Sequence, residues 1–210
     1  MPPDLDFSTK PTLRGQRVTL RPLHAQDVEV MARILSDPQV RLLTGSVQSA
    51  DEAAEPQLVD DRLVMWYATR GEQVDRLDLG IEDTSGELVG EIVLNDVDPG
   101  AMTCNLRVLI GPAGRDRGLG TEAVGLVTAY GIEVLGLQQI TLEVFVFNPR
   151  GRRVYEKVGY VETGRREDAL VVDGVGVAAI DMAVSAASWN GFPAGPTPPT
   201  RPAGSGGDRR

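Results

Sequence analysis

Seven consecutive residues, Arg115–Thr121 (R-D-R-G-L-G-T), combine two cations with two glycines, a pairing of types suited to a phosphate-bearing ligand. Gly118 and Gly120 carry no Cβ, so the backbone can turn tightly there and come close to a bound group. The stretch Gly118–Ala123 matches G-x-G-x-x-A, the dinucleotide fingerprint, and Glu143 would be its later acidic residue. Two observations count against that reading. The fingerprint needs its first glycine directly after a strand, whereas Pro112–Arg117 intervenes, and the strands before it form a meander rather than a βαβ series. A nucleotide P-loop fits less well, because no Gly-Lys-Ser/Thr follows.

The loop is positioned by the elements on either side. Upstream, the apolar run Leu106–Ile110 reads as a strand closed by Gly111-Pro112. Downstream, Ala123, Val127, Tyr130 and Val134 recur with the period of a helix with one buried face. The first amides of that helix lack intrahelical partners, and its dipole favours an anion. Further upstream, Gln16–Leu23 reads as a strand and Val28, Met31 and Leu35 as a helix stopped by Ser36-Asp37-Pro38. Residues 41–55 read as a loop with a short helical turn. A helix starting at Pro56 places Val59, Leu63 and Trp66 on one face, which assigns Trp66 to the core. Leu77–Glu82, Glu87–Val97 and Ala101–Gly111 are three strands joined by turns at Asp83–Gly86 and Asp98–Gly100. Gly136 caps the central helix, and Gln139–Phe147 is a strand parallel to Ala101–Gly111 across a crossover. Asn148-Pro149 opens a short helix that ends at Gly159, and Tyr160–Val172 and Val175–Val184 flank an Asp173-Gly174 hairpin.

The bulk numbers set limits. A chain of 210 residues, 41% hydrophobic, suits one domain with a sizeable core. We expect an N-terminal extension over 1–11, the domain over 12–189, and a Pro/Gly-rich disordered tail over 190–210. A net charge of −9 argues against nucleic acid as partner and suits a cationic substrate or simple solubility. Cys104 is the only cysteine and His24 the only histidine, so neither a disulfide nor a zinc site is expected; His24 reads as a turn or cap residue. No run approaches a membrane span and the N-terminus lacks signal-peptide character, so a cytoplasmic protein without membrane contact is expected.

Taken together, R-x-x-G-x-G after a strand, a helix, a strand ending in Asn148, then V-Y-E-K-V-G-Y closely resembles the GCN5-related N-acetyltransferases. The element order over Thr12–Val184 resembles that fold: a mixed α/β, mostly antiparallel sheet, splayed between the fourth and fifth strands, with helices on both faces. Within the family, R-P-L, L-S-D-P-Q-V, E-L-V-G-E-I-V-L-N-D and F-N-P-R-G-R-R-V-Y-E-K-V-G-Y are most similar to the ribosomal-protein N-terminal acetyltransferases. The resemblance implies acetyl-CoA as cosubstrate, with Gly118, Gly120 and Thr121 at its pyrophosphate and Arg115, Arg117 and Arg153 as phosphate contacts. It also implies that backbone amides of Val108, Leu109 and Ile110 polarise the thioester carbonyl, and that Asn148 serves both as helix cap and as pantetheine partner. Tyr155 resembles the general acid that protonates the leaving thiolate. Glu143 matches a glutamate used as general base, with Glu91 or a water chain as alternatives. No metal is implied. One departure bears on the acceptor, since Asn105-Leu106-Arg107 stands where relatives often carry Glu-Leu-Gly.

The expected activity is acetyl transfer to a primary amine, a protein or peptide N-terminus first, by direct attack in a ternary complex of a monomer or homodimer. Alternatives are a small-amine acetyltransferase and a non-catalytic acyl-CoA-binding module.

Overall fold

A computed structural model describes residues 7–55 and 60–192. Runs of alternating apolar residues form eight strands: β1 (Leu13–Arg14), β2 (Val18–Pro22), β3 (Leu77–Asp83), β4 (Leu88–Asp98), β5 (Thr103–Ile110), β6 (Gln139–Phe145), β7 (Val161–Val172) and β8 (Val175–Ser185). They make one sheet in the order β1-β2-β3-β4-β5-β6-β8-β7. All neighbours pair antiparallel except β5 and β6, which run parallel. That ladder holds only at Thr103↔Gln139, Cys104↔Ile140 and Asn105↔Thr141, after which the strands part. The splay therefore lies where the sequence places it; the short additional strand Leu13–Arg14 makes the pair fifth and sixth.

Within the described residues six α-helices surround the sheet: α1 (Val28–Leu35), α2 (Pro38–Leu43), α3 (Ala50–Ala54), α4 (Asp61–Thr69), α5 (Leu119–Ala129) and α6 (Pro149–Val158). Among the described residues none is long and apolar enough to cross a membrane. The break at Asp37-Pro38 also starts a helix. The Asp37 carboxylate accepts from the Val40 amide at 2.9 Å, and Pro38 sits where no N–H is needed. With α3, capped by Ser49, this replaces most of the loop expected over 41–55. His24 is exposed in the turn before α1, its amide donating to the Asp27 carboxylate at 2.8 Å.

The expected start of the fourth helix, Pro56 with Val59, falls outside the described residues; α4 begins after its cap Asp60. Its inner face carries Leu63 and Tyr67, which join Leu23, Met31, Ile34, Val40 and Leu88 in a small core. Trp66 does not belong to that core. It is 50% exposed, whereas Tyr67 is 2% exposed, because adjacent helical residues stand about 100° apart and the inward stripe passes through Tyr67.

The main core lies on the other side of the sheet, beneath α5 and α6, where Leu20, Leu79, Ile92 and Leu106 meet Ala123, Val127 and Val158. Glu122 anchors the start of α5: its carboxylate accepts the amides of Gln16, Arg17 and Val18 at 2.9, 2.7 and 3.0 Å. The packed region extends past both limits read from sequence. Phe7, placed in the extension, is 1% exposed. Phe192, placed in the tail, packs over Gly125, where a Cβ would stand 2.4 Å from its ring. The rest of the expected tail, from residue 193, lies outside the described residues.

Candidate active site

A continuous cleft of about 1180 Å³ passes through the gap between β5 and β6 and brings most of the expected residues together. At one end lies the glycine loop. Gly118 caps α5 with φ +78°, a left-handed conformation that a side chain would strain. Gly120 differs, because a Cβ there would meet only Ile110 at 3.7 Å. The protein itself leaves room at Gly120, so any demand for glycine there comes from a ligand at the helix start.

The three arginines divide. Arg115 lines the cleft but is half-buried and braced, its Nε donating to the Ile110 carbonyl at 3.3 Å and its Nη2 paired with Asp37. Arg117 is directed elsewhere: Nη2 pairs with Asp83 at 2.9 Å and Nη1 donates to Ala113. It is absent from the cleft wall, because Asp83 at the end of β3 offers a fixed carboxylate. Arg153 faces the cleft with no ion pair among the described residues, and Arg150 and Lys157 line the cleft beside it. Sequence reasoning missed those two, although positions three before and four after Arg153 share its helical face. Arg150 also touches Asp116 at 3.2 Å.

Next is the gap itself. The Gly111 amide donates to Val89 at 2.8 Å, so the two-residue alternation of a strand turns the amides of Val108 and Ile110 away from β4 and into the gap. Leu109 points its amide the other way and packs its side chain on the small core under α4. Gly90 allows β4 to press against this segment, since a Cβ there would lie 2.1 Å from the Leu109 carbonyl.

Asn148 and Tyr155 face the gap from α6. The Asn148 side chain accepts from the Gly151 amide at 2.9 Å, the helix-cap role expected of it. Tyr155 is 8% exposed, with its ring edge-on to Tyr160 at 6.1 Å. Tyr160 in turn shares a 2.9 Å hydrogen bond with Thr128. The Tyr155 hydroxyl makes no hydrogen bond among the described residues, and burial pushes it up to about 12.

Beyond the gap, the two candidate carboxylates differ in setting. Glu143 is 38% exposed and ion-paired with Arg166, which also holds Asp181 at 2.9 Å. It is thus a salt-bridged strand residue rather than a desolvated one. Glu91 stands opposite Leu109 on the neighbouring strand, half-buried, and accepts from the Tyr67 hydroxyl at 3.1 Å. Burial, with Asp78 nearby, pushes its carboxyl above the usual range. Behind it, Asp78 accepts two 2.8 Å bonds from Arg76 and one of 3.3 Å from Arg70, and Trp66 covers the Arg70 guanidinium with its ring centre 3.2 Å away. Arg107, from the departure noted in the sequence, is exposed at the cleft wall.

Known proteins share this fold. Residues 17–161 match the acetyltransferase (GNAT) domain model. The chain is 25% identical over 182 residues to the "Putative ribosomal N-acetyltransferase YdaF" of Bacillus subtilis, covering 84% of this chain and 96% of that one. It is 26% identical over 94 residues to a spermidine N(1)-acetyltransferase of Vibrio cholerae, covering 45% of this chain and 54% of that one. A Vibrio cholerae spermidine N-acetyltransferase solved with CoA and spermine superposes with a TM-score of 0.71 at 20% identity, covering 81% of this chain and 96% of that one. With its parted strands, glycine-capped helix and matched domain, the chain belongs to the GNAT family of N-acetyltransferases.

Proposed function

We propose that this protein transfers an acetyl group from acetyl-CoA to a primary amine, foremost the α-amine of a peptide or protein N-terminus, by direct attack in a ternary complex. The observation that carries this reading is the parted β5–β6 pair, which leaves Val108 and Ile110 lining the same cleft as Tyr155, whose hydroxyl makes no hydrogen bond among the described residues. A thioester carbonyl between them would receive two preorganised donors, an arrangement worth roughly 3 kcal/mol or more per donor. The pyrophosphate would take the start of α5 at Gly118–Thr121, with Arg150, Arg153 and Lys157 offering charge along α6. Arg115 then shapes the loop, and Arg117 supports it from outside the cleft.

The neutral amine attacks the carbonyl carbon, forming the C–N bond and placing negative charge on oxygen. Collapse of that adduct breaks the C–S bond, and the thiolate leaves toward Tyr155, which donates its proton. Glu91 takes the proton released by nitrogen, a role its position opposite Leu109 suits better than the ion-paired position of Glu143. Cys104 takes no covalent part in this scheme, since it lies outside the cleft wall and burial pushes its thiol up to about 12. An α-amine, with a reference pKa of roughly 7.7–8.0, needs only modest help to become neutral, unlike lysine at ~10.4. For a polyamine the acceptor end is poorly charged, because Asp78, Glu143 and Asp181 are all held by arginines.

The test is thiol release from acetyl-CoA against N-terminal peptides and small amines. Release above background with peptides supports the reading. Release only with polyamines moves the acceptor to that class, and CoA binding without release for any amine leaves an acyl-CoA-binding module.

A further inference from the structure

Arg70 is a buried and incompletely paired cation in the cleft wall. It is 2% exposed, and its Nε and Nη2 have no hydrogen-bond partner among the described residues. Only Nη1 is engaged, at 3.3 Å from an Asp78 oxygen that Arg76 already holds at 2.8 Å. A buried donor left unmade carries its full desolvation cost, and Arg70 carries two on a charged group. Burial and the nearby Arg76 guanidinium both act against its charge.

The two free donors are not a random pair. Nε–H and Nη2–H project in parallel from one edge of the guanidinium plane, the fork that matches the two oxygens of a carboxylate. Trp66, half exposed, covers the face of the same group. From this we infer that Arg70 is the seat of a carboxylate carried by the acceptor, with the Trp66 ring as its movable cover. The inference rests on the acetyltransferase reading and narrows its acceptor class to amines that also bear a carboxylate.

Placement limits the size of such an acceptor. Arg70 is tied to β3, two strands from the Val108–Ile110 segment of β5, a spacing of roughly 10 Å. Amine and carboxylate therefore belong to one amino acid or to the first residues of a peptide. Glu91 lies between them and close enough to interact with Arg70, on the path from carboxylate to reacting nitrogen. Because solvent does not reach Nε and Nη2, the carboxylate enters by displacing the exposed Trp66 ring.

The test uses two matched series with the full-length protein. One compares free amino acids with their α-carboxamides. The other compares peptides that begin with Glu or Asp against Gln or Asn counterparts, all amidated at the C-terminus. The first series reports an α-carboxylate, the second a side-chain one. We expect kcat/KM at least tenfold higher for the carboxylate member of one series, and R70M should remove that preference while leaving CoA affinity unchanged. In a Trp189→Phe background Trp66 is the only tryptophan, and its emission should shift with an N-acetylated carboxylate product but not with the matching amide. Should R70M fail to fold, the wild-type series and this titration decide. Equal use of both members in both series, a preference that survives R70M, or an unmoved Trp66 emission overturns the proposal. Absence of both CoA binding and thiol release would instead remove the acetyltransferase reading beneath it.

Discussion

Tyr155 and Glu91 are both shifted by burial, and the shifts do different things. A phenol pushed up to about 12 stays protonated across the neutral range and remains a donor. Replacing Tyr155 with Phe keeps the packing against Tyr160 and removes only the proton, so kcat should fall about 100-fold or more with CoA affinity unchanged by calorimetry. The Glu91 carboxyl is raised, so activity should climb with pH on a limb above the ordinary value of roughly 4.3, and Glu91→Gln should abolish that limb. The stability sign is opposite to that of most carboxylates. The fold holds the Glu91 proton more tightly than the unfolded chain does, so this contribution is full below about 4.3 and lost as pH rises through the folded value. Glu91→Gln should therefore not lower the melting temperature at pH 7; a drop there would assign the carboxylate a structural task instead.

The elements around the site were legible to different degrees. Gly118 and Asn148-Pro149 announce helix starts by composition, and both are found at helix starts. Asn148→Ala should cost about 1 kcal/mol in chemical denaturation, the usual value of a side-chain cap, beyond any loss of cofactor affinity. Two features could not be read. The phase of α4 depends on where it begins, and a start at Asp61 turns Tyr67 inward and Trp66 outward. The Arg70–Asp78–Glu91 cluster joins α4 to β3 and β4, and a contact set by sheet register leaves no periodic trace in the chain. Arg117 shows the same limit, because its partner Asp83 lies 34 positions upstream in a turn read only as a turn. Hydrogen bonds from Ser85, with Arg117 adding to them, hold the Asp83 carboxyl down at about 2. Stability from it is present above the ordinary carboxylate value, near 3.9, and is lost as pH falls toward 2. Asp83→Asn should lower the melting temperature at pH 7 and converge with wild type in strong acid.

At the scale of the whole molecule, the packed region is wider than composition suggests, because one aromatic residue on each flank returns to the core. Pro and Gly around Phe192 read as tail, yet the ring fills the space that Gly125 leaves on α5. Phe192→Ala should cost roughly 1–2 kcal/mol for a partly buried aromatic. Gly125→Ala should displace the same ring, so the double variant should cost less than the sum of the singles in a denaturation cycle. Full additivity would detach Phe192 from the fold.

The three-pair ladder between β5 and β6 has a consequence for the motions of the free protein. Val108 and Ile110 lie in the middle of an eight-stranded sheet, yet their amide hydrogens face a gap where no neighbouring strand pairs with them. Protection from exchange follows hydrogen bonding rather than depth in a drawing of the fold. These two amides should trade their hydrogens for deuterium at rates typical of a loop, with Leu109 between them far slower. Saturating CoA should slow the pair, making adjacent amides of one strand a direct gauge of whether the cleft is filled.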